Sequence, residues 1–280
     1  MKKALTVLLA FVMLLIALTG CGNGNNTTTT TTTTLPPSPV SDFEYVVRRD
    51  GTICISKYIG NDTVVVFPEM IEDRPVTVIA SFVIDYDSNI EKVYISDSVT
   101  TIFDNAFSAC SSLKEVVFGK GLLEIEQYAF AKCDSLTKII LPENLTTIKD
   151  YAFEYCSSVK EVFIPKSLTK VGVGAFAYNT SLTSITFEDG LTAINGASMF
   201  AFADSLKEVT IPASVSKIEI NPFLNCNSLK TVKFMGDAPT SAEGWPFGYP
   251  NKEIIIYYNP ETSGWDTTAL KDDYTLVPYQ

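Results

Sequence analysis

Cysteine is the residue type of this chain with the most chemistry open to it, because the 280 residues contain six cysteines and no histidine. Without histidine the chain lacks the most common general base and metal ligand, which excludes serine–histidine and cysteine–histidine catalysis and most zinc chemistry. Four cysteines, Cys110, Cys133, Cys156 and Cys226, follow one another at intervals of 23, 23 and 70 residues. These intervals do not match the short CxxC pairs of a zinc site. We therefore expect neither a metal site nor a cofactor.

The same interval of 23 residues separates apolar residues throughout the middle of the chain. One column of equivalent positions contains Ile79, Ile102, Ile125, Ile148, Val171, Ile194 and Ile218. A second contains Ile90, Leu113, Leu136, Val159, Leu182, Leu206 and Leu229, and a third contains Ile84, Phe107, Phe130, Phe153, Phe176, Phe200 and Phe223. One step in each column is 24 residues, which places an insertion and a bulged turn between Ile194 and Phe200. Self-similarity of this length predicts a solenoid, a scaffold that presents surface and so favours binding.

The four cysteines form a further column of this repeat, which holds Asp87, Asn179 and Ala203 in other copies. Adjacent coils of a solenoid lie about 4.8 Å apart, so neighbouring cysteines come within crude range of a disulfide. Their side chains should nevertheless point in parallel, and a small buried residue is the simpler interpretation. Cys54 lies outside the repeats and has no evident partner.

One copy of the repeat shows how a coil is built. Apolar residues at Leu136 and Ile139, with β-branched neighbours, predict a short strand that Pro142 ends. In the next copy, residues 150–153 predict a helical turn in which alanine allows close packing and phenylalanine fills the core. Equivalent strands should stack side by side as a parallel sheet, with short helical or irregular turns on the opposite face.

The first twenty residues predict an export signal. Lys2 and Lys3 precede an apolar stretch, 5–18, that is too short and wrongly flanked to span a membrane. It ends in Leu18-Thr19-Gly20-Cys21, which resembles the bacterial lipoprotein lipobox, whose cysteine is diacylated and becomes the new N-terminus. The resemblance implies a lipid on Cys21 that tethers the exported chain to the outer face of a bacterial membrane. The alternative is an ordinary signal cleaved nearby.

Residues 21–41 predict a linker between that lipid and the folded part. An unbroken run of threonine, 27–34, is followed by Leu35-Pro36-Pro37-Ser38-Pro39, with no apolar period. Nothing in such a stretch offsets the entropy of ordering it. Threonine and proline should keep it extended and hold the folded part away from the membrane.

The repeat resembles the BspA-type leucine-rich repeat, a class found in bacterial surface proteins. In one copy the matching residues are Ile125, Ala129, Phe130, Cys133, Ser135, Leu136, Ile139, Leu141, Pro142, Leu145 and Ile148. The resemblance implies an α/β-type repeat solenoid: a right-handed leucine-rich-repeat coil with a parallel β-sheet on one face and β-rich caps. It also implies binding to proteins, since characterised members are adhesins for host matrix or plasma proteins.

These observations divide the chain into a signal peptide at 1–20, a linker at 21–41, an N-terminal cap at 42–78, about seven repeats at 79–234 and a C-terminal cap at 235–280. In the first cap, Arg49-Asp50-Gly51-Thr52 predicts a hairpin. In the second, residues 254–258 predict a closing strand, and we expect Trp245 and Trp265 to seal the core.

A binding surface is predicted on the strand positions that should face solvent. One column of such positions begins with Tyr94, Val117, Ile140 and Phe163 and continues with Thr186, Thr210 and Lys233. Four successive apolar side chains on the exposed concave face indicate a contact site for a protein. The alternatives are ordinary β-propensity on a sheet surface, or burial beneath a loop or cap. The neighbouring column alternates in sign and predicts a charge ladder, at Lys92, Glu115, Lys138 and Glu161.

Charge and motifs narrow the partner classes. The net charge is −11, and removing Lys2 and Lys3 with the signal lowers it to −13. An acidic chain without basic clusters argues against nucleic acid as a partner. No GxSxG, HExxH, P-loop or dinucleotide motif is present. The sequence favours a lipid-anchored, non-enzymatic surface protein that binds a host or neighbouring-cell protein. An envelope scaffold is the alternative, followed by a glycan-binding module or an enzyme.

Overall fold

The computed structural model describes residues 35–84, 89–250 and 252–279, so Cys21, the export signal and most of the linker lie outside the described residues. The strands are β1 Phe43–Val47, β2 Ile53–Tyr58, β3 Val64–Val66, β4 Met70–Ile71, β5 Arg74–Ile79, β6 Lys92–Tyr94, β7 Thr101–Ile102, β8 Glu115–Val117, β9 Glu124–Ile125, β10 Lys138–Ile140, β11 Thr147–Ile148, β12 Glu161–Ile164, β13 Lys170–Val171, β14 Ser184–Phe187, β15 Ala193–Ile194, β16 Glu208–Ile211, β17 Lys217–Ile218, β18 Thr231–Phe234, β19 Ser241–Ala242, β20 Ile255–Tyr258 and β21 Thr275–Pro278. Helix in the described part is limited to a 3-10 turn at Val40–Asp42 and α1 at Leu270–Asp273. None of these helices has the length and apolarity needed to cross a membrane.

One strand from each of about ten turns forms a front sheet. The front sheet consists of β3, β6, β8, β10, β12, β14, β16, β18, β20 and β21. Wherever these strands pair, they pair in parallel, and residues 23 positions apart lie opposite each other, as Lys138 does opposite Glu161. The predicted parallel solenoid is confirmed. Its parallel ladders run beyond 79–234 at both ends, from Val64 to Pro278.

Two-residue return strands form a narrow second sheet. This sheet runs from the hairpin of β1 and β2 through β5, β7, β9 and β11 to β13, and a separate piece contains β15, β17 and β19. The break falls at the copy that carries the inserted residue, where Gly196 has φ of +99°. The predicted bulge is therefore confirmed, and glycine suits it because that region of φ strains other residues.

A column of phenylalanine rings fills the core. The rings of Phe107, Phe130, Phe153, Phe176, Phe200, Phe223 and Phe247 are all buried. Successive centroids lie 4.9–5.9 Å apart and successive planes are within 20° of each other. The spacing follows from the spacing of the coils, because each coil contributes one ring. Phe247 extends the column by one ring beyond the last that the repeat pattern contains.

The turns that carry these rings are not helical, contrary to the prediction for residues 150–153. Tyr151 and Tyr155 both have φ of +58°, in the left-handed region that a right-handed helix cannot contain. Their neighbours also bond between coils: the backbone N–H of Phe153 donates to the carbonyl of Ala175 at 2.8 Å. Hydrogen bonds to the next coil thus replace the bonds within a helix.

The four cysteines of the repeat column are buried, and the described cysteines form no disulfide. The thiols of Cys133, Cys156 and Cys226 donate to backbone carbonyl oxygens 26 residues earlier, at 3.2–3.3 Å. Burial raises the pKa of Cys226 to about 12, so this thiol is not a nucleophile at neutral pH. The interpretation of these cysteines as small core residues is confirmed.

The two ends of the coil differ in how well they were predicted. The hairpin at residues 48–52 is confirmed, since β1 and β2 are antiparallel on either side of it. The closing strand was placed wrongly: β20 pairs with β18 on one side and β21 on the other, so β21 is the last strand. Trp265 is buried as expected, but Trp245 is 38% exposed and does not seal the core.

Candidate protein-binding surface on the front sheet

The predicted column of apolar residues lies on the outer side of the front sheet. We call Tyr94, Val117, Ile140 and Phe163 the apolar stripe. Val117 and Ile140 are exposed, while Tyr94 and Phe163 are half-buried. Tyr94 lies opposite Val117 in β6 and β8, and Ile140 lies opposite Phe163 in β10 and β12. Because side chains alternate along a strand, the residue before each member of the stripe points into the core.

Ion pairs border the apolar stripe. Lys92 contacts Glu115 at 2.7 Å, and Lys138 contacts Glu161 at 3.1 Å, as the charge ladder predicted. The ammonium of Lys92 also lies 4.9 Å from the centre of the Tyr94 ring. The hydrogen bond to Glu115 and the contact with Tyr94 raise the pKa of Lys92. These exposed pairs contribute little to stability, and they form a charged border beside the apolar side chains.

The front sheet opens between β8 and β10, in the middle of the apolar stripe. Its hydrogen-bonded ladder ends at β8 and resumes at β10. A long bond of 3.4 Å, from the N–H of Thr137 to the carbonyl of Lys114, marks the approach to this opening. Within the described residues Glu115 and Lys138 form no ion pair across it, although the alternation of charge would allow one.

A groove of about 780 Å³ occupies this opening. Its apolar lining includes Val117, Phe118, Ile140 and Pro142. We call it the stripe groove. Phe118 forms its wall from the core side, with its ring edge-on to Phe130 at 5.6 Å. The groove therefore leads from the exposed stripe toward the buried ring column.

The sequence around Gly119 accounts for the opening. In this copy the strand is followed by Phe118-Gly119-Lys120-Gly121, where the next copy has Leu141-Pro142-Glu143-Asn144. A Cβ atom on Gly119 would collide with the backbone carbonyl of Ser96 in the preceding coil. This close approach ties β8 to β6, and the sheet opens on the other side of β8. Repeat columns alone could not predict the opening, although the two glycines were a visible signal.

The row of the apolar stripe continues beyond the residues predicted for it. Val66 lies opposite Tyr94 at one end, and Tyr257 lies opposite Lys233 at the other. The apolar runs at 64–67 and 254–258 contained this signal, but both were assigned to caps. Between the apolar stripe and Tyr257 the row is polar, with Thr186 and Thr210 exposed and Lys233 paired with Glu208 at 2.7 Å.

The described residues offer little for metal chemistry, since no group of three potential ligand side chains converges among them. The carboxylates of the front sheet are instead engaged by lysines, as Glu115 and Glu161 show. The front sheet thus presents an apolar groove with a charged border, an arrangement suited to contact with another protein.

A family model now decides which repeat this is. The model of the BspA type leucine-rich repeat region matches six copies, at residues 77–201 and 196–247. The chain belongs to the BspA-type leucine-rich repeat family. The family model thereby confirms what the repeat phrase implied. No curated protein matches the chain significantly.

Solved structures of bacterial leucine-rich repeat proteins resemble this one. A leucine-rich repeat protein of T. pallidum is 28% identical, with a TM-score of 0.63, over 69% of this chain and 91% of that one. A leucine-rich cell surface protein of Faecalibacterium prausnitzii is 31% identical, with a TM-score of 0.59, over 72% of this chain and 55% of that one. A leucine-rich repeat protein of Bacteroides ovatus, at 18% identity and a TM-score of 0.55, covers 84% of this chain and 75% of that one and shows the fold alone.

Proposed function

We propose that this BspA-type protein is displayed on the bacterial cell surface and binds another protein through the apolar stripe. The observation that carries the proposal is the stripe groove, which opens between Val117 and Ile140, the two most exposed members of the stripe. Binding energy at protein interfaces concentrates where an apolar side chain enters a desolvated pocket. A side chain of the partner would fill the groove and cover the stripe around it.

The ion pairs beside the groove support this role. Lys92–Glu115 and Lys138–Glu161 lie one position along the strands from the apolar stripe. Charged pairs at the edge of an interface add little affinity, but they orient the partner and disfavour the wrong ones. The partner we propose is a host matrix or plasma protein or a protein of a neighbouring cell, with a protein of the producing bacterium's own envelope as the alternative.

We further propose that a lipid on Cys21 tethers the protein to the outer face of the membrane. The lipobox-like stretch at residues 18–21 supports this anchor, and so does the family's occurrence among surface proteins. Labelling of producing cells with radioactive palmitate should mark the wild-type protein and not Cys21→Ser. Label that persists in Cys21→Ser would contradict the anchor.

No catalytic activity is part of the proposal. Support comes from the family, whose members here are repeat proteins, and from the pairing of the front-sheet carboxylates with lysines. Nucleic acid is not proposed as a partner either, because the chain is strongly acidic.

The proposal is tested by disrupting the apolar stripe without disturbing the core. The double variant Ile140→Asp, Phe163→Asp should lose capture on an array of matrix, plasma and envelope proteins at least about tenfold. The matched control is Thr186→Asp, Thr210→Asp, which places the same two charges in the polar half of the same row. Unchanged capture by the stripe variant, or equal loss in the control, would show that the stripe is only a sheet surface. Capture restricted to envelope proteins would favour the scaffold.

A further inference from the structure

Trp245 and Tyr249 form an exposed aromatic pair at the C-terminal end of the coil. Their side chains are 38% and 61% exposed, whereas the other tryptophan, Trp265, is 6% exposed. The pair lies in the loop between β19 and β20, on neither the front sheet nor the apolar stripe. Two large rings left in water are costly unless something covers them in function.

The geometry of the pair leaves ring faces available. The centroids of Trp245 and Tyr249 are 4.8 Å apart and their planes are inclined by 45°. A different exposed column, Tyr155, Tyr178 and Phe202, stacks at 4.4 Å with planes within 13°. In that column the inner ring is covered on both faces by its neighbours, so chiefly edges reach solvent. The tilted pair is the aromatic group that can accept another ring against a face.

The loop that carries the pair is held in place by the core. The backbone N–H of Trp245 donates to the side-chain oxygen of Asn221 at 2.7 Å. The hydroxyl of the buried Tyr274 donates to the carbonyl of Gly248 at 2.7 Å. Phe247, between them, is the last ring of the buried column. Because the loop is already ordered, a ligand would lose little of its binding energy in fixing it.

A cavity of about 280 Å³ adjoins Tyr249. Its lining includes Asn225, Asn227, Leu229, Gly248 and Pro250. Asn227 donates its amide N–H to the carboxylate of Asp204 at 2.9 Å, which orients its carboxamide oxygen as an acceptor. None of the residues that line the cavity is charged, although the chain as a whole is strongly acidic.

We propose that this cavity and the Trp245–Tyr249 pair bind a neutral sugar ring of a saccharide chain. A pyranose has an apolar face of C–H groups that packs on an aromatic ring, and hydroxyl groups at its edge that pair with carboxamides. Tyr249 supplies the ring face, and Asn225 and Asn227 supply the carboxamides. The absence of charge from the lining selects a neutral sugar, because a charged one would be desolvated there without a counter-ion. This site is independent of the stripe groove.

The test uses the tryptophan as its own reporter. The purified full chain is titrated with maltopentaose, cellopentaose and N-acetylchitopentaose while tryptophan emission is recorded. Trp245 is exposed and should respond, while the buried Trp265 gives a constant background. At least one of the three sugars should produce a saturable change below about 10 mM. Tyr249→Ala, which keeps the reporter, should weaken that binding about tenfold.

Tyr155→Ala is the matched control, since it removes an exposed tyrosine from the stacked column and should leave sugar binding unchanged. The proposal is overturned if none of the three sugars gives a saturable change, or if Tyr249→Ala binds as the wild type does. It is also overturned if the emission follows protein concentration and not sugar concentration, which would assign the pair to contact between two copies of the chain.

Discussion

Ile139 and Ile140 are adjacent and identical in type, but they belong to opposite faces of the same strand. Ile139 is 1% exposed and lies in the core, while Ile140 is 45% exposed and lies on the apolar stripe. The interior columns keep nearly the same residue in every coil, as the phenylalanine column shows. The row of Ile140 instead changes from tyrosine through isoleucine to threonine and lysine. The interior thus specifies the fold through repetition, and the front face acquires a binding surface through departure from it.

The strongest way to break this comparison is to remove a ring from the interior column. Phe153 lies 5.1 Å from Phe130 and 5.3 Å from Phe176, so Phe153→Ala should leave a cavity between two coils. We expect a loss of about 3–5 kcal/mol in the free energy of unfolding, measured with urea. Phe153→Leu, which fills more of the space, should lose less. A loss below about 1 kcal/mol for the alanine variant would mean that the column does not hold the coils together.

The adjacent isoleucines test the two faces directly. Ile139→Ala removes buried atoms and should lower the free energy of unfolding by about 2–5 kcal/mol, whereas Ile140→Ala should change it by no more than about 0.5 kcal/mol. Partner capture should follow the reverse order once both variants are compared in the folded state. Equal losses of stability would show that Ile140 is buried beneath another part of the chain.

Gly119 tests the place where the interior shapes the front face. The Cβ atom of Gly119→Ala would meet the backbone of Ser96, so the loop must move and the stripe groove must change shape. We expect a loss of stability of about 1–3 kcal/mol, together with weaker partner capture by the folded protein. Lys120→Ala, at the next position and exposed, is the control and should leave stability unchanged. Retention of full stability by Gly119→Ala would remove our account of the opening.

Glu219 sharpens the comparison with the smallest effect, because it is a surface side chain that supports the fold. Its carboxylate accepts from the backbone N–H of Gly196 at 3.0 Å and contacts Lys217, and these contacts lower its pKa. Their contribution is therefore present above the ordinary pKa of a glutamate and is lost as pH falls through the lowered value. Glu219→Gln should be less stable than the wild type at pH 7, and the difference should vanish in acid. A difference that persists below about pH 3 would rule out this carboxylate as its source.

The sequence predicted the parts of the fold that repeat. Burial of the columns headed by Ile79 and Ile90, the parallel strands and the buried cysteines all follow from one period, because each coil meets the same neighbours. The family resemblance was confirmed on the same residues. Of the candidate surface, the sequence placed Tyr94, Val117, Ile140 and Phe163 in one row, and the structure brings them together in that order.

The parts that the sequence did not predict depend on departures from the period. The stripe groove arises from Gly119, whose effect is a contact with Ser96 that no column records. The exposure of Trp245 depends on the loop around it, outside the repeats. The helical turns were predicted wrongly because residues such as Tyr151 adopt positive φ, which propensity disfavours and cross-coil hydrogen bonds impose.

The bonds between coils have a mechanical consequence. Each turn is fastened only to the turns beside it, through short rungs such as Ile148 against Ile125 and through one ring in the stack. A pull on one end of the chain therefore loads the outermost turn first and leaves the others at rest. When that turn releases, its 23 residues lengthen the chain by about 80 Å before the next turn bears the load. Tension on such a molecule is relieved in successive equal increments of length.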